Sequence, residues 1–332
     1  GHNPMELYRT TFPIPVNGSL LSYTKPAVFM GSCFTEQIGQ KLTELKFPVD
    51  VNPFGVIYNP WSVKNCLDVL IREKEFTKEE LHYFDHQWLS FYHQTSFSHP
   101  DLQQCLKTIN DGVRYSSGFL KTAEFLFITF GTARVFTWKE SGQVVSNCHK
   151  IPADQFERRM LSPGEITRMF VDLMNELSEF NPRLKVVFTV SPVRHWKDGA
   201  VGNQVSKATL LLAIHNLKEN LPGTAYFPAY EIVMDDLRDY RFYAEDMIHL
   251  NRTANEYIWR LFKHSFIEKE SQEIISEIEK ILEAVAHRPM KPDSESHRKF
   301  LQESLKYTRD VQKRYPFLDL SREMDYFAGK EK

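Results

Sequence analysis

In the run Glu124-Phe125-Leu126-Phe127-Ile128-Thr129-Phe130 only the first residue and Thr129 are polar, and the run stops at Gly131. A short, nearly continuous apolar run bounded by a glycine reads as a strand covered on both faces, which is the signature of a parallel sheet. Such a strand needs helices above and below it, and the rest of the chain supplies them. Ala27-Val28-Phe29-Met30 reads as a first strand ending at Gly31, and Ile38, Leu42 and Leu45 then share one face of a helix. Residues 49–54 read as a second strand leading to Gly55, and Pro60 opens a helix carrying Val63, Cys66, Leu67, Leu70 and Ile71. Ser162-Pro163-Gly164-Glu165 is a helix start with a cap, a first-turn proline and an acid three residues after the serine. Residues 185–191 read as another buried strand, residues 206–217 as a helix, and residues 226–230 as a last short strand weakened by Pro228. The pattern predicts an α/β fold: a three-layer αβα sandwich with a mostly parallel central sheet of about five strands. To it are added an inserted hairpin over 134–147, turning at Ser141-Gly142, and C-terminal helices.

The division expected is a core over 1–264 and a charged, helical extension over 265–332, with helices near 267–286 and 297–314. The extension either packs on the core or joins two copies as a homodimer. Composition narrows the partners. Net charge is −2, so no basic excess points to nucleic acid. No run approaches the ~18 apolar residues that a membrane span requires. Cys33, Cys66, Cys105 and Cys148 are too sparse for a disulfide framework and lack zinc spacing, so they read as reduced thiols of a cytoplasmic protein. Gly1 to Pro4 lacks a charged-then-apolar signal pattern, although a signal peptide removed beforehand would leave no trace. His82, His86, His93 and His99 cluster in sequence without a metal-binding motif, so no metal is expected. That region reads as an aromatic loop or helix over the site, with Trp88, Phe91 and Tyr92 as walls.

Open parallel sheets hold their sites at the carboxyl ends of the strands. Gly31-Ser32-Cys33-Phe34 lies at such an end, directly before a helix. A serine there presents its hydroxyl to the crevice and its N–H to a helix dipole that favours an oxyanion. The plainer alternative is an N-cap, and on this tetrapeptide alone it is the stronger one. Asp246-Met247-Ile248-His249 comes after the last strand and before a helix at Thr253. Three residues of separation let a carboxylate orient one ring nitrogen while the other faces outward, as a serine's base requires. Cys33 beside Ser32 reads as a structural thiol facing the core.

These two motifs resemble the SGNH (GDSL-like) hydrolase superfamily, and within it the GSCFA family. Gly31-Ser32-Cys33-Phe34-Thr35 is similar to the naming motif, with Thr35 where that motif has alanine. Asn52-Pro53-Phe54-Gly55, Phe130-Gly131-Thr132-Ala133-Arg134, Asn147-Cys148-His149-Lys150, Ser191-Pro192-Val193-Arg194-His195 and Asp246–His249 extend the likeness over about residues 7–255. The resemblance implies an SGNH-like, flavodoxin-like fold and a serine esterase without cofactor. Ser32 is then the nucleophile, His249 the base and Asp246 its orienter. The oxyanion hole would draw on the N–H groups of Ser32 and Gly55. Ala133 stands where the superfamily places an asparagine donor, and Asn147, Thr132 and Arg134 are the replacements to consider. Arg194 and His195 follow a strand. With Arg134 they are candidates for binding substrate, though Arg194 could equally pair with an internal acid and His195 is a rival base. The implied substrate is a small-molecule ester, on an acylated carbohydrate or lipid. An acyltransferase using the same triad, or a catalytically silent ligand-binding protein, are the alternatives.

Overall fold

A computed structural model describes residues 8–330, so the residues at 1–4 lie outside it. Elements are numbered in chain order. The central sheet has five parallel strands, β1 (Ala27–Gly31), β2 (Val49–Val51), β5 (Phe125–Phe130), β9 (Lys185–Val190) and β10 (Ala225–Tyr226), in the order β10-β9-β5-β1-β2. From β1 the chain moves to β2 on one side and then returns to β5 on the other. The order therefore reverses between β1 and β5, the place where such sheets open a crevice.

Alternation along each strand builds two cores. Val28, Met30, Leu126, Ile128 and Phe188 point to one layer, formed by α2 (Pro60–Arg72), α3 (Leu102–Thr122), α4 (Pro163–Phe180) and α5 (Gly199–Asn220). Ala27, Phe29, Phe125, Phe127 and Val187 point to the other, formed by α1 (Cys33–Glu44), α6 (Arg252–Phe266) and α7 (Lys269–Ala286). Phe29 and Phe127, facing each other across neighbouring strands, stack with centroids 4.6 Å apart. Each such ring, fully buried, stabilises the fold by roughly 1.5–3 kcal/mol. At the start of α4, Ser162 Oγ accepts from the Glu165 N–H while the Glu165 carboxylate accepts from the Ser162 N–H, the reciprocal cap that the sequence spells out.

Several expected elements take different shapes. β2 stops at Val51, because Asn52 turns the chain with φ +45°. The expected hairpin is two strands of a three-stranded antiparallel sheet, β6 (Arg134–Trp138) and β7 (Val144–Val145), with β8 (Phe156–Met160) on the far side of β6. Residues 226–230 yield only Tyr226 of a two-residue strand, then a one-turn helix at Ala229–Glu231. The aromatic region is a tight hairpin, β3 (His82–Phe84) and β4 (Gln87–Leu89), turning through Asp85 and His86 at positive φ. Phe91 walls no crevice. It is 2% exposed in a small core with Leu89, Val145 and Phe156. His93 and His149 are buried side chains held by hydrogen bonds with Ser90 and Thr95. Burial pushes the His93 imidazole down to about 3. Among the described residues no cluster of three or more His, Cys, Asp or Glu could hold a metal, and no helix is long and apolar enough to cross a membrane.

The extension continues the second layer. Ile274, Ile275, Ile278 and Ile281 of α7 are buried with Phe262 and Phe266 of α6. Residue 264 therefore falls inside α6 rather than at a joint. Two further helices follow, α8 (Glu295–Arg314) and α9 (Ser321–Phe327). The Phe317 ring between them lies 5.7 Å from Tyr23, and the nearly buried Glu323 pairs with Lys46 at 2.5 Å.

Candidate functional site

The carboxyl ends of β1 and β5 meet in register, with Gly31 opposite Thr129. Gly31 has φ +135°, and a Cβ there would lie 2.1 Å from the Thr129 carbonyl oxygen. Only glycine lets the two strands stay paired while the chain turns into α1. Ser32 follows at the N-cap position of α1, but its side chain makes no capping hydrogen bond. Its Oγ is buried and has no hydrogen-bond partner. A hydroxyl in that state costs about 1–3 kcal/mol, and a capping serine would have avoided the cost by bonding an amide of the first turn.

A second orphan lies beside it. Asn52, 7% exposed, accepts the Gly31 N–H on Oδ1 at 3.0 Å. That bond fixes the amide's orientation and leaves Nδ2, a donor, buried without a partner. Sequence reasoning passed over Asn52. The usable signal was an asparagine directly after a strand, a residue type that tolerates left-handed backbone. The expected oxyanion amides are both engaged: the Gly55 N–H with the Asn52 carbonyl at 2.8 Å, the Ser32 N–H with the Thr129 carbonyl at 3.2 Å.

Gly131, at the end of β5, leaves the space into which the site is built. The point where its Cβ would stand is 3.1 Å from His195 Nε2, 3.3 Å from Ser32 Cβ and 3.3 Å from the Tyr58 carbonyl oxygen. His195 is thus brought to Ser32 across the missing side chain. Its imidazole is held neutral, down to about 4, by burial first and then by the charges of Lys207 and Arg158. Tyr58, Thr132, Asn147 and His195 also line a cavity of about 340 Å³. Thr132 Oγ1 lies 3.1 Å from Ser206 Oγ and accepts the Arg134 N–H, and Asn147 Oδ1 accepts the His149 N–H at 2.8 Å. Ala133 is fully buried, its N–H donating to Ser206 Oγ. Cys33 is half-buried, its Sγ 3.8 Å from the Tyr58 hydroxyl, rather than in the core.

Asp246 and His249 form a tight pair at the surface. Asp246 Oδ2 accepts from His249 Nδ1 at 2.5 Å, and Oδ1 accepts the backbone N–H groups of Ile248 and His249, each at 2.9 Å. The His249 ring first, then those two amides, hold the Asp246 carboxyl down to about 2. Facing an ionised carboxylate, Nδ1 carries the proton of this bond. The turn is tied to the sheet by Arg194, which donates to the Met247 carbonyl between the two partners. The Arg194 guanidinium is held against the rings of Trp196, at 4.9 Å, and Tyr243, at 5.5 Å. Arg194 thus grips the turn, and its neighbour His195 reaches Gly131 and Ser32. No hydrogen bond joins Ser32 to either histidine, since its Oγ has none.

Lys207, 1% exposed, closes the back of the site. Its Nζ donates to the carbonyls of Gly131 and Ser191, each at 2.7 Å, tying the ends of β5 and β9 together. Burial pushes this amine down from 10.5 to about 7. Between those values the unfolded chain binds more protons than the folded one, so stability rises with pH through that window. In urea titrations at pH 7.5 and 9.5, wild type is expected to gain up to ~2 kcal/mol on Lys207→Met. A gap that does not change with pH would show that the amine stays charged inside the fold.

Among solved structures, an acetyl xylan esterase from the rumen bacterium Butyrivibrio proteoclasticus is similar over 63% of this chain and 56% of that chain, at 10% identity and a TM-score of 0.30. No curated protein matches in sequence. Family models give the firmer result. The model described as "GSCFA domain protein, C-terminal domain" matches residues 278–331. The model of the GSCFA family matches residues 26–262, a span that takes in Ser32, Asn52, Gly131, His195 and the Asp246–His249 pair, and the chain belongs to that family.

Proposed function

We propose that this chain is a serine hydrolase of small esters, acting through an acyl group carried on Ser32. The observation that carries the reading is the buried, unbonded Ser32 hydroxyl at the head of α1, where a structural serine would cap the helix. Asp246 fixes the tautomer of His249, leaving Nε2 to take the Ser32 proton as Oγ adds to the ester carbonyl carbon. The same proton then goes to the departing alcohol oxygen as the C–O bond breaks. Water adds to the acyl-Ser32 carbonyl by the same route and releases the acid. Catalytic hydrogen bonds in an unliganded site are commonly unmade, and this reading requires that substrate binding bring Ser32 Oγ and His249 Nε2 together.

The developing oxyanion needs donors, and Asn52 Nδ2, next to the Gly31 N–H, is left free. It takes the part of the asparagine that Ala133 cannot play. Asn52→Asp keeps the acceptor for the Gly31 N–H and removes the donor, so kcat is expected to fall ~10²–10³-fold with the fold intact. Unchanged kcat on 4-nitrophenyl acetate would remove Asn52 from the mechanism.

The test of the whole reading is labelling by a fluorophosphonate. Wild type is expected to gain one adduct on Ser32, found by peptide mass spectrometry, and Ser32→Ala none. A folded wild type that takes no label, or a variant that takes as much, would overturn it.

A further inference from the structure

The cavity beside Ser32 has an unbalanced charge. Arg134, Arg158 and Lys197 line it with a single acid, Asp198. The Asp198 carboxylate is 3% exposed and is shared: Arg158 donates to Oδ1, and Arg134 Nε lies 3.4 Å from Oδ2. One carboxylate cannot neutralise two guanidinium groups. The Arg134 Nε is buried and makes no hydrogen bond, so its 3.4 Å ion pair leaves this guanidinium only loosely answered by Asp198. Burial and the nearby Arg134 charge both work against the Arg158 cation. Apolar surface adjoins these cations. The Arg158 guanidinium lies 5.4 Å from the centre of the Phe136 ring, and Trp196 completes the wall. Surplus cations in a partly enclosed, aromatic-walled space are satisfied by an anionic ligand, to which guanidinium groups donate paired, charge-assisted hydrogen bonds.

We infer that the cavity binds a compact anion, a carboxylate or phosphate, carried on the substrate and seated between Arg134 and Arg158. The placing of this anion on the substrate rests on the Ser32 reading, while the anion site itself does not. The ester cleaved would be an acidic one, its charged part gripped by the β6–β8 sheet while its acyl carbon meets Ser32. Neutral esters of the same size would be turned over poorly.

Binding to the full wild-type chain at low salt tests this without using turnover. Benzoate, phenyl phosphate and the uncharged benzyl alcohol are titrated and followed by ligand-observed NMR. At least one anion is expected to bind at least roughly tenfold more tightly than benzyl alcohol. Arg158→Gln should weaken that anion roughly tenfold or more, with Arg158→Lys between the two. Preference for benzoate identifies a carboxylate site, preference for phenyl phosphate a phosphate site. Equal binding of benzyl alcohol, no binding of either anion, or an Arg158→Gln chain that binds as wild type does would each overturn the proposal. Fluorophosphonate labelling of the same samples reads Ser32 separately. Loss of labelling with anion binding intact sinks the hydrolase and leaves the site standing.

Discussion

Gly31→Ala is expected to yield no native protein, or one destabilised by more than ~4 kcal/mol. The added carbon would sit 2.1 Å from the Thr129 carbonyl oxygen and 2.9 Å from Thr129 N and C, all of them backbone atoms of β5. Backbone cannot rotate aside as a side chain does. The two central strands would have to part, disturbing the register from Ala27 opposite Phe125 to Gly31 opposite Thr129. The φ of +135° adds strain for any L side chain. Gly112→Ala is the control. It lies within α3 with nothing within 4 Å of the new carbon, so a gain of roughly 0.5–1 kcal/mol is expected there. Soluble yield and urea midpoints measure both. A Gly31→Ala chain that melts with wild type would mean that β1 and β5 do not pair as described.

The largest expected effect on activity lies at the surface pair. Asp246→Asn removes the acceptor that holds the His249 Nδ1 proton, and kcat is expected to fall ~10³–10⁴-fold. His249→Ala should fall at least as far. The double variant should fall no further than His249→Ala, because the two residues act as a unit. His195→Ala is the informative comparison. His195 is the histidine brought to Ser32 across Gly131; among the described residues no carboxylate bonds its ring, and its backbone N–H donates to Asn203 Oδ1. A small loss there and a large one at His249 are expected for 4-nitrophenyl acetate. The reverse order would make His195 the base and leave Asp246–His249 a surface ion pair. The acid limb of kcat/KM should not follow the Asp246 carboxyl, which stays ionised down to about 2.

Much of this architecture was legible because strands buried on both faces leave a plain record. β1, β5 and β9 are runs of apolar residues, and the Ser162–Glu165 cap announces α4 by residue type alone. What escaped reading depends on backbone pairing or on polar interruptions. β8 reads Phe-Glu-Arg-Arg-Met and looks like solvent-facing loop, yet its main chain completes the sheet on β6. α3 went unassigned, for its buried stripe of Cys105, Ile109, Val113, Ser116 and Leu120 is diluted by serines and glycines. Among the candidate residues, Ser32 stood out by its place after β1 and Asp246–His249 by their spacing, while the roles expected of them came from the family resemblance. Asn52 did not stand out, because what distinguishes it is an unanswered hydrogen bond, and no sequence displays that. Arg194 could be placed near the crevice from its position after β9. That it grips the Met247 carbonyl depends on a fold spanning 53 residues.

The C-terminal helices have a practical bearing on any attempt to work with a smaller piece. The family models divide at residues 262 and 278, which invites trimming the chain there. A cut between residues 267 and 273 would discard the isoleucine seam of α7 and leave Phe262 and Phe266 without it. Those rings touch Phe127 on the central strand. A shortened product would present a greasy flank directly under the strand that carries Gly131, and clumping of that fragment would say nothing about the chemistry at the opposite end of the sheet.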